Sequence, residues 1–323
     1  MKKLLITGGS GFIGTNLINH LLQTNQAEVL NIDIAEPKIK EHRTYWKKVD
    51  IRDYNSLNKV VTKFAPDHLI HLAARTDLRG KTLKDYNTNS DGIISLLKIL
   101  ENTPTLKKAI FASSMYVCYP GYIPNNFDDY QPHTLYGESK VLTEQIIKTT
   151  NPKKYCWSII RPTSIWGPWF GEPYNKFFKL ILSHAYFHLG KKACHKTYGY
   201  VDNTVCQILS IINANNDEVH RKTYYLGDYL PYDITEWANE IAACASIRIP
   251  NIPYFLFVIA GRAGDFLQLF GIKFPMTSFR LKNMTTDNVH DLTPIKKLAP
   301  ILPTSREEGN KMTIEWINRG KSR

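Results

Sequence analysis

A glycine-rich turn near the N-terminus constrains the fold of this chain more than any other feature. The segment Thr7-Gly8-Gly9-Ser10-Gly11-Phe12-Ile13-Gly14 follows a short apolar run and precedes a stretch with helical periodicity. In this arrangement the glycines allow a tight turn, close approach of the backbone to a pyrophosphate, and close packing of helix on strand. The N-terminus of the helix adds free N–H donors for phosphates. The turn therefore predicts the first βαβ unit of a dinucleotide-binding fold.

An acidic residue at the end of the second predicted strand indicates which dinucleotide binds. Asp33 can accept hydrogen bonds from both ribose hydroxyls of the adenosine half, and its charge would repel a 2′-phosphate. NAD is therefore favoured over NADP, although Lys38 and Lys40 keep NADP open. Asp50, at the end of the third predicted strand, could accept from the adenine amino group or cap the following helix, and both interpretations stay open.

Short apolar runs alternate with helical segments as far as residue 160, which is typical of repeated βαβ units. The predicted strands are Lys3 to Thr7, Glu28 to Ile32, Tyr45 to Val49, His68 to Leu72, Ala109 to Ser113 and Cys156 to Ile160. The predicted helices are Gly11 to Gln23, Tyr54 to Phe64, Asp85 to Glu101, Leu135 to Thr149 and about Arg306 to Arg319. We expect an α/β fold, a Rossmann-type doubly wound parallel sheet with a smaller C-terminal substrate-binding lobe. Residues 1–165 would form the NAD-binding domain, and 166–323 mainly the substrate lobe, with some segments returning to the Rossmann core.

Charge and cysteine content exclude several classes of protein. The formal net charge is +12, but the 41 Lys and Arg residues are scattered along the chain, so we expect no nucleic-acid partner. The five cysteines are far apart and lack C-x-x-C spacing. This pattern argues against a disulfide framework and a zinc site, and it favours a reducing compartment. We therefore expect no metal and a cytoplasmic location.

Neither apolar stretch of the chain predicts a membrane span. The run after Met1 breaks at Thr7-Gly8-Gly9, which is too short for the core of a signal peptide. The stretch from 252 to 272 is interrupted by Arg262 and Asp265, and it predicts a buried or amphipathic helix. We expect no stable membrane insertion, and loose association with a membrane stays open.

Tyr136 and Lys140 are four residues apart on a predicted helix, so their side chains share one face. A free tyrosine is a poor base at neutral pH, but a neighbouring cation stabilises the phenolate and lowers the pKa of the phenol. The pair is therefore a candidate acid/base device. By itself Tyr-x-x-x-Lys is a weak signal, since an exposed amphipathic helix can carry it by chance.

The chain resembles the extended short-chain dehydrogenase/reductases, and within them the nucleotide-sugar epimerases and dehydratases. The resemblance follows the family order from residue 3 to residue 168. It is carried by Thr7 to Gly14, Asp33, Asp50-Ile51-Arg52, His71-Leu72-Ala73-Ala74, Asn89 with Gly92, Ser113-Ser114 with Val117, Tyr136 with Lys140, and Arg161-Pro162 with Gly167-Pro168.

The resemblance implies a role for each matching residue. Tyr136 would be the acid/base, Lys140 would hold the nicotinamide ribose and lower the tyrosine pKa, and Ser114 would orient the reacting oxygen. Strand alternation would turn the adjacent Ser113 the other way. For Ser114 a cap at the strand end stays open as a structural role. The implied NAD-binding residues are Gly8, Gly11, Phe12, Ile13, Gly14, Asp33, Asp50, Ile51, Leu72, Ala73, Ala74, Asn89, Tyr136, Lys140 and Pro162.

Departures from the family pattern narrow the reaction. The dehydratases and decarboxylases resemble one another in an acidic residue directly after the catalytic Ser/Thr, where this chain has Met115-Tyr116. Dehydration and decarboxylation are therefore disfavoured. Cys118 could lie near the sugar or be a small core residue. Lys196 stands where an arginine usually meets the substrate diphosphate, and Ser164 stands where an asparagine is common.

These observations predict an NAD-dependent nucleotide-sugar epimerase, acting at C4 of a UDP-sugar through transient hydride transfer to tightly bound NAD. Such an enzyme would serve polysaccharide biosynthesis. The alternative is an NAD(P)-dependent oxidoreductase of a nucleotide sugar, or of an apolar alcohol as in 3β-hydroxysteroid dehydrogenase-like members. A catalytically inactive NAD-binding protein is a third possibility. The resemblance also implies a homodimer that pairs through the helices Asp85 to Glu101 and Leu135 to Thr149.

Overall fold

The computed structural model describes residues 1–172, 175–190, 193–272 and 274–321. Its strands are β1 (Lys2–Thr7), β2 (Ala27–Asp33), β3 (Trp46–Lys48), β4 (His68–His71), β5 (Lys108–Ala112), β6 (Cys156–Pro162), β7 (Ser164–Trp166), β8 (His188–Leu189), β9 (His195–Lys196), β10 (Tyr198–Tyr200), β11 (Lys222–Leu226), β12 (Tyr232–Asp233) and β13 (Asn251–Ile252). Its α-helices are α1 (Phe12–Thr24), α2 (Tyr54–Phe64), α3 (Asn87–Glu101), α4 (Leu135–Thr150), α5 (Asn175–Leu182), α6 (Val201–Asn213), α7 (Asn216–Val219), α8 (Ile234–Cys244), α9 (Tyr254–Leu269), α10 (Ser278–Thr285), α11 (Thr293–Leu298) and α12 (Arg306–Lys321).

The central sheet contains seven strands in the order β11-β6-β5-β4-β1-β2-β3, and every pairing in it is parallel. The chain winds outward from β1 in one direction through β2 and β3, and in the other through β4, β5 and β6. The strand order therefore reverses between β1 and β4, and at such a point the carboxyl ends of the strands open a crevice that can take a ligand. The predicted Rossmann-type doubly wound sheet is confirmed.

Apolar helix faces cover both sides of this sheet, as a parallel sheet requires. On one side Leu17 of α1 and Ile208 of α6 pack with Ile6 of β1. On the other side Leu57 of α2 and Ile93 of α3 pack with Leu5 of the same strand. Since successive residues of β1 feed opposite cores, Leu4, Leu5 and Ile6 are all buried, and they anchor the carboxyl end of the strand.

The second half of the chain has its own aromatic core, in which Trp166 and Trp237 lie with ring centroids 5.1 Å apart. Helices α5, α8 and α12 supply further members of this core. From the same half, however, β11 pairs with β6, and α6 packs on the large sheet. The division of function at residue 165 stays a prediction.

The edges of the elements differ from the predicted ones by small amounts that have local causes. Helix α3 begins at Asn87 because Leu83–Tyr86 forms a separate 3-10 turn, with a capping box between Thr82 and Asp85. Strand β3 has only three residues. Among the described residues no helix is both long and apolar enough to cross a membrane.

Candidate active site

The glycine turn forms a cradle that side chains would fill. Gly8 has a φ of +75°, and a Cβ there would overlap the backbone of Ala73, at the end of β4. A Cβ at Gly14 would lie 2.6 Å from the carbonyl oxygen of Gly8. Gly11 is the N-cap of α1 and offers no side-chain acceptor to the first turn, which contains Phe12 and Ile13. The uncapped helix end and the bare turn fit a pyrophosphate.

Asp33 lies at the carboxyl end of β2, beside this turn. Its carboxylate accepts hydrogen bonds from the backbone N–H of Ser10 at 3.0 Å and of Ala35 at 2.9 Å. Burial raises the pKa of the carboxyl, and these backbone donors oppose the shift. The side chain is therefore held in one orientation at the place where an adenosine ribose would lie. Lys38, which kept NADP open, donates to the carbonyl oxygen of Trp169 at 2.8 Å.

Asp50 is not the cap of the following helix. Asp53 fills that position and accepts from Ser56 N–H at 3.1 Å. The Asp50 carboxylate instead pairs with Arg52, 2.6 Å from its guanidinium, and this hydrogen bond lowers the pKa of the carboxyl. The Ile51 side chain is buried and packs against Gly92 of α3, so an adenine could meet only its backbone.

The segment that follows β4 is fixed by a buried asparagine. Leu72 N–H donates to the Thr7 carbonyl at 2.8 Å, which keeps Leu72, Ala73 and Ala74 next to the glycine turn. Asn89 accepts from Arg75 N–H at 2.8 Å and donates to the Arg75 carbonyl at 3.1 Å. Its amide also donates to Ser139 Oγ, at 2.9 Å. Asn89 therefore ties the strand end to α3 and α4, and its side chain is occupied by protein groups.

The structure brings Ser114, Tyr136 and Lys140 together at the carboxyl end of β5. Ser114 caps the 3-10 turn Met115–Val117 by accepting from Tyr116 N–H at 3.2 Å, and its side chain is also within hydrogen-bonding reach of the Tyr136 phenol. Lys140 Nζ donates to the carbonyl oxygen of Ala112, the last residue of β5, at 2.9 Å. The structural and catalytic interpretations of Ser114 are therefore compatible.

Burial shifts the pKa values of Tyr136 and Lys140 so that the neutral form of each side chain is favoured. It raises the pKa of Tyr136 to about 12, although the Ser114 hydroxyl opposes the shift. It lowers the pKa of Lys140 to about 8, although the nearby Glu144 carboxylate opposes that shift. Since the phenol is protonated at neutral pH in this state, proton abstraction by Tyr136 needs additional positive charge at the site.

Gly137 allows the Ser114 turn to lie directly on the first turn of α4. A Cβ at Gly137 would overlap the carbonyl oxygen of Tyr116. Thr134 caps α4 by accepting from Gly137 N–H at 3.0 Å, and this fixes the direction in which Tyr136 leaves the helix. The close backbone contact therefore sets the distance between the serine and the tyrosine.

A buried ion pair behind the site was not predicted from the sequence. Glu144, one helical turn after Lys140, binds Arg161 of β6, and neither side chain has any solvent exposure. Ser113, at the end of β5, lies beside this pair. The signal was present in the sequence, because an arginine inside the apolar run of β6 must find a carboxylate.

Two of the predicted substrate residues, Lys196 and Ser164, lie in the second half of the chain. Lys196 of β9 is half-buried, and its Nζ donates to the carbonyl oxygen of Asn283 in α10 at 2.8 Å. Burial lowers the pKa of its amine. Ser164 lies on β7, in register with Tyr198, and is two residues beyond the end of β6 at Pro162.

The segment that follows α10, around Asn288, links this region to the Ser114 turn. Asn288 donates to Met115 Sδ at 3.8 Å and accepts from Gly121 N–H at 3.2 Å. Its backbone bridges to Lys196. Sequence reasoning did not find Asn288, since the contact spans 173 residues. Cys118, which could have faced a sugar, is buried, and burial raises the pKa of its thiol, as expected of a small core residue.

The model of the NAD dependent epimerase/dehydratase family matches residues 4–227, more than half of the chain. The chain belongs to this family. The NAD dependent epimerase/dehydratase family consists of enzymes that use NAD, so NAD is the cofactor of this enzyme, and the cradle at Gly8 and Gly14 fits its pyrophosphate. Among the residues that the structure covers, no cluster of three or more His, Cys, Asp or Glu side chains could hold a metal ion.

Relatives of this family member carry out several reactions. The N-acetyl-alpha-D-glucosaminyl-diphospho-ditrans,octacis-undecaprenol 4-epimerase of Escherichia coli O157:H7 is 26% identical over 97% of this chain and 94% of its own. The 3-beta-hydroxysteroid dehydrogenase of Mycolicibacterium neoaurum is 26% identical over 78% of this chain and 72% of its own. The crystal structure of UDP-glucose 4-epimerase from Thermotoga maritima with UDP-glucose superposes with a TM-score of 0.74 at 21% identity, covering 99% of both chains. At 21% identity, the similarity to the Thermotoga maritima enzyme shows a shared fold alone.

Proposed function

We propose that this enzyme is an NAD-dependent 4-epimerase of a sugar that is joined to a diphosphate. The observation that carries the proposal is the meeting of Ser114, Tyr136 and Lys140 at the carboxyl end of β5, where the Ser114 turn packs directly on the first turn of α4. On that turn Met115-Tyr116 replaces the acid expected of a dehydratase. The named activity of the Escherichia coli relative, which is similar over nearly the whole chain, supports the same reaction.

In the proposed reaction Tyr136 takes the proton of the sugar C4 hydroxyl, and Ser114 holds the oxygen by a hydrogen bond. When bound, NAD supplies the acceptor for the C4 hydride and the donor that returns it to the opposite face of the sugar. Positive charge added beside Lys140 by the oxidised nicotinamide would lower the phenol pKa from the raised value that Tyr136 has in the protein alone. Tyr136 then returns the proton, so the reaction has no net redox change.

Two groups could carry the sugar diphosphate, a nucleotide or a polyprenol. The sequence predicts a nucleotide sugar, with Lys196 and Ser164 as candidate contacts and UDP as the nucleotide. Lys196, however, is engaged with the Asn283 carbonyl, so it reaches a phosphate only if it leaves that partner. The Escherichia coli relative is named for a sugar on a polyprenol diphosphate. Both carriers share the diphosphate that a lysine can contact as a point charge.

The proposal includes a homodimer that pairs through the outer faces of α3 and α4. Ile94 and Leu142 are 39% and 40% exposed on these helices, which supports an apolar contact there. It also includes a cytoplasmic enzyme of polysaccharide biosynthesis. No disulfide joins the five cysteines, all of which lie in the described ranges, and this is consistent with a reducing compartment.

The second candidate is a net oxidoreductase of an apolar alcohol, favoured by the likeness to the steroid dehydrogenase over 78% of the chain. One experiment separates the two. Purified enzyme with NAD is incubated with UDP-glucose, UDP-galactose and their N-acetyl forms, with a polyprenyl diphosphate sugar in detergent and, separately, with a 3β-hydroxysteroid. A 4-epimer that forms without a stoichiometric absorbance change at 340 nm supports the proposal. Stoichiometric NADH formation supports the oxidoreductase, and the absence of any sugar product overturns the epimerase assignment.

A further inference from the structure

Helix α9 carries a row of large apolar side chains that face solvent. Phe255, Ile259, Phe266, Leu269 and Phe270 are 60%, 59%, 60%, 81% and 67% exposed. Their spacing of four, seven, three and one residues places them on one face of the helix. An apolar row of this length is unfavourable in water and marks a surface that something covers.

The opposite face of α9 already packs on the protein. Phe257, Gly261 and Gly264 are buried, and a Cβ at Gly261 would lie 3.2 Å from the backbone nitrogen of Ser278 at the start of α10. The two helices therefore form a closely packed hairpin. Because α9 is apolar on both faces, its outer row is not needed for folding of the hairpin.

The exposed apolar surface continues beyond α9 into the connection and α10. Beyond α9, Ile272 and Phe274 are 52% and 40% exposed, and Phe279 in α10 is 67% exposed. The exposed apolar side chains are thus concentrated in one hairpin, and we call residues 254–285 the apolar hairpin. Elsewhere, large exposed apolar residues such as Leu230 and Ile301 stand singly along the chain.

The charges in and around the hairpin are mainly positive. Residues 248–285 contain five Lys and Arg and one acidic residue, Asp265. The Asp265 carboxylate is held by Ser278 N–H at 3.0 Å, at the junction of the two arms. Arg262 lies within the apolar row, and Arg280 and Lys282 are exposed on α10. An apolar face with cations along it is complementary to the acyl boundary and phosphate groups of an anionic membrane.

A second copy of the chain fits this face less well. Packing two apolar rows together would bury Arg262 from each copy, and the single acid of the hairpin already has a partner. At a bilayer surface, in contrast, an arginine can extend to the headgroup phosphates while its stem lies along apolar side chains.

The hairpin is also physically joined to the catalytic site. The carbonyl oxygen of Asn283, near the end of α10, accepts from the candidate diphosphate residue Lys196. Five residues later Asn288 contacts Met115 on the Ser114 turn. The route from the catalytic serine to the exposed hairpin therefore runs through residues that also border the expected diphosphate position.

We propose that the apolar hairpin docks on the surface of an anionic membrane without crossing it. Combined with the proposed function, on which this second step rests, docking presents the site to a sugar carried by a membrane-embedded polyisoprenyl diphosphate. Binding of the lipid anchor to the membrane would then replace the binding energy that a nucleotide supplies in soluble substrates. This agrees with the structure, in which Lys196 already donates to the Asn283 carbonyl and is not held ready for a nucleotide diphosphate.

The docking step is tested by vesicle flotation of the full chain. The wild type should float with vesicles of phosphatidylethanolamine and phosphatidylglycerol, less with pure phosphatidylcholine, and less at high salt. The double variant Phe266→Ser, Leu269→Ser should lose roughly tenfold or more in binding. The matched control Leu230→Ser, Ile301→Ser removes two apolar side chains outside the hairpin that are on average at least as exposed, and it should float as the wild type does. A wild type that does not float, or a hairpin variant that floats equally well, overturns docking.

Light scattering of the same proteins tests self-association. If the hairpin variant turns a dimer into a monomer and no protein binds vesicles, the face belongs to a second copy and the proposal is wrong.

Activity measurements distinguish the docking proposal from the epimerase proposal. The hairpin variant should keep turnover of a water-soluble diphosphate sugar and lose turnover of a polyisoprenyl diphosphate sugar in vesicles. Flotation without turnover of any sugar upholds docking and refutes the epimerase assignment, whereas equal turnover of the lipid-linked sugar by variant and wild type refutes the substrate step.

Discussion

The Arg161 guanidinium and the Glu144 carboxylate form a bidentate ion pair in which both side chains have zero solvent exposure. Nε lies 2.8 Å from Oε1, and a terminal guanidinium nitrogen lies 2.8 Å from Oε2. Burial alone would raise the pKa of Glu144, but Arg161 more than offsets this, and the pKa is lowered. The pair joins β6 to α4 directly behind Lys140, so it fixes the helix that carries the proposed acid/base residues.

Removing one member of this pair should be strongly destabilising, since it leaves a buried charge without its partner. We expect Glu144→Ala to lower the free energy of unfolding by about 3–5 kcal/mol, as measured by urea denaturation. The double variant Glu144→Leu, Arg161→Met should lose less than Glu144→Ala does, because no charge remains buried. Equal losses in the single and double variants would contradict this account.

Tyr136→Phe should remove turnover and leave NAD binding nearly intact. The substitution deletes the phenolic proton carrier but keeps the ring among Tyr86 and Tyr116, with which it is in contact. We expect the rate of sugar conversion to fall by about 10²–10⁴-fold or more, with NAD affinity measured by calorimetry. Tyr86→Phe is the matched control, since its hydroxyl donates to the Asp77 carbonyl and has no part in the proposed proton transfer. An active Tyr136→Phe enzyme would refute the assignment.

Gly137→Ala should move the Ser114 turn away from Tyr136. A methyl group there would overlap the carbonyl oxygen of Tyr116, and relief of the overlap should cost about 1–3 kcal/mol of stability and a larger share of turnover than of NAD binding. Gly320 lies in α12 with no neighbouring atom within 4 Å of such a methyl group. Gly320→Ala should therefore be neutral or stabilising by about 0.5–1 kcal/mol. If both variants melt alike, the close contact at Gly137 has no energetic weight.

Asp33→Asn should weaken NAD and narrow the preference for NAD over NADP. The amide keeps the shape of the side chain but lacks the charge that favours ribose hydroxyls and repels a 2′-phosphate. A lost charged hydrogen bond of about 1.5–3 kcal/mol corresponds to roughly 10–150-fold in the dissociation constant. Asp50→Asn is the comparison, because Arg52 already occupies that carboxylate, and we expect a smaller effect. A stronger effect at position 50 would mean that Asp50 leaves Arg52 for the adenine.

The parts of this molecule that could be predicted from the sequence are those fixed by neighbours in the chain. The turn around Gly8, the strand end at Asp33 and the spacing of Tyr136 and Lys140 depend on backbone periodicity over a few residues. Strand β11 was missed because its five residues lie beyond the regular strand-helix alternation that ends near residue 160, and they gain their order from pairing with β6. Its stability is supplied by the tertiary partner and not by local pattern.

The unpredicted contacts of the site join residues that are distant in sequence. Lys196 and Asn283 are 87 residues apart, and Met115 and Asn288 are 173 apart. A side chain that donates to a backbone carbonyl leaves no pattern at the acceptor, since every residue type has the same carbonyl group. For the same reason a sequence can indicate that Lys196 is available for a diphosphate, but it cannot show that the amine is already occupied.

Lys140→Met should change the pH dependence of stability in a defined direction. In the folded protein burial lowers the pKa of Lys140 to about 8 from 10.5, so between these values the unfolded chain binds more protons than the folded one. Stability contributed at this position therefore rises with pH across that window. Methionine does not titrate. After removal of the cofactor, the free energy of unfolding of the wild type relative to the variant should increase by about 3 kcal/mol between pH 8 and pH 10.5. Urea denaturation at several pH values measures this difference, with the exposed Lys179→Met as the control variant. A constant difference for Lys140→Met would mean that its amine is not desolvated.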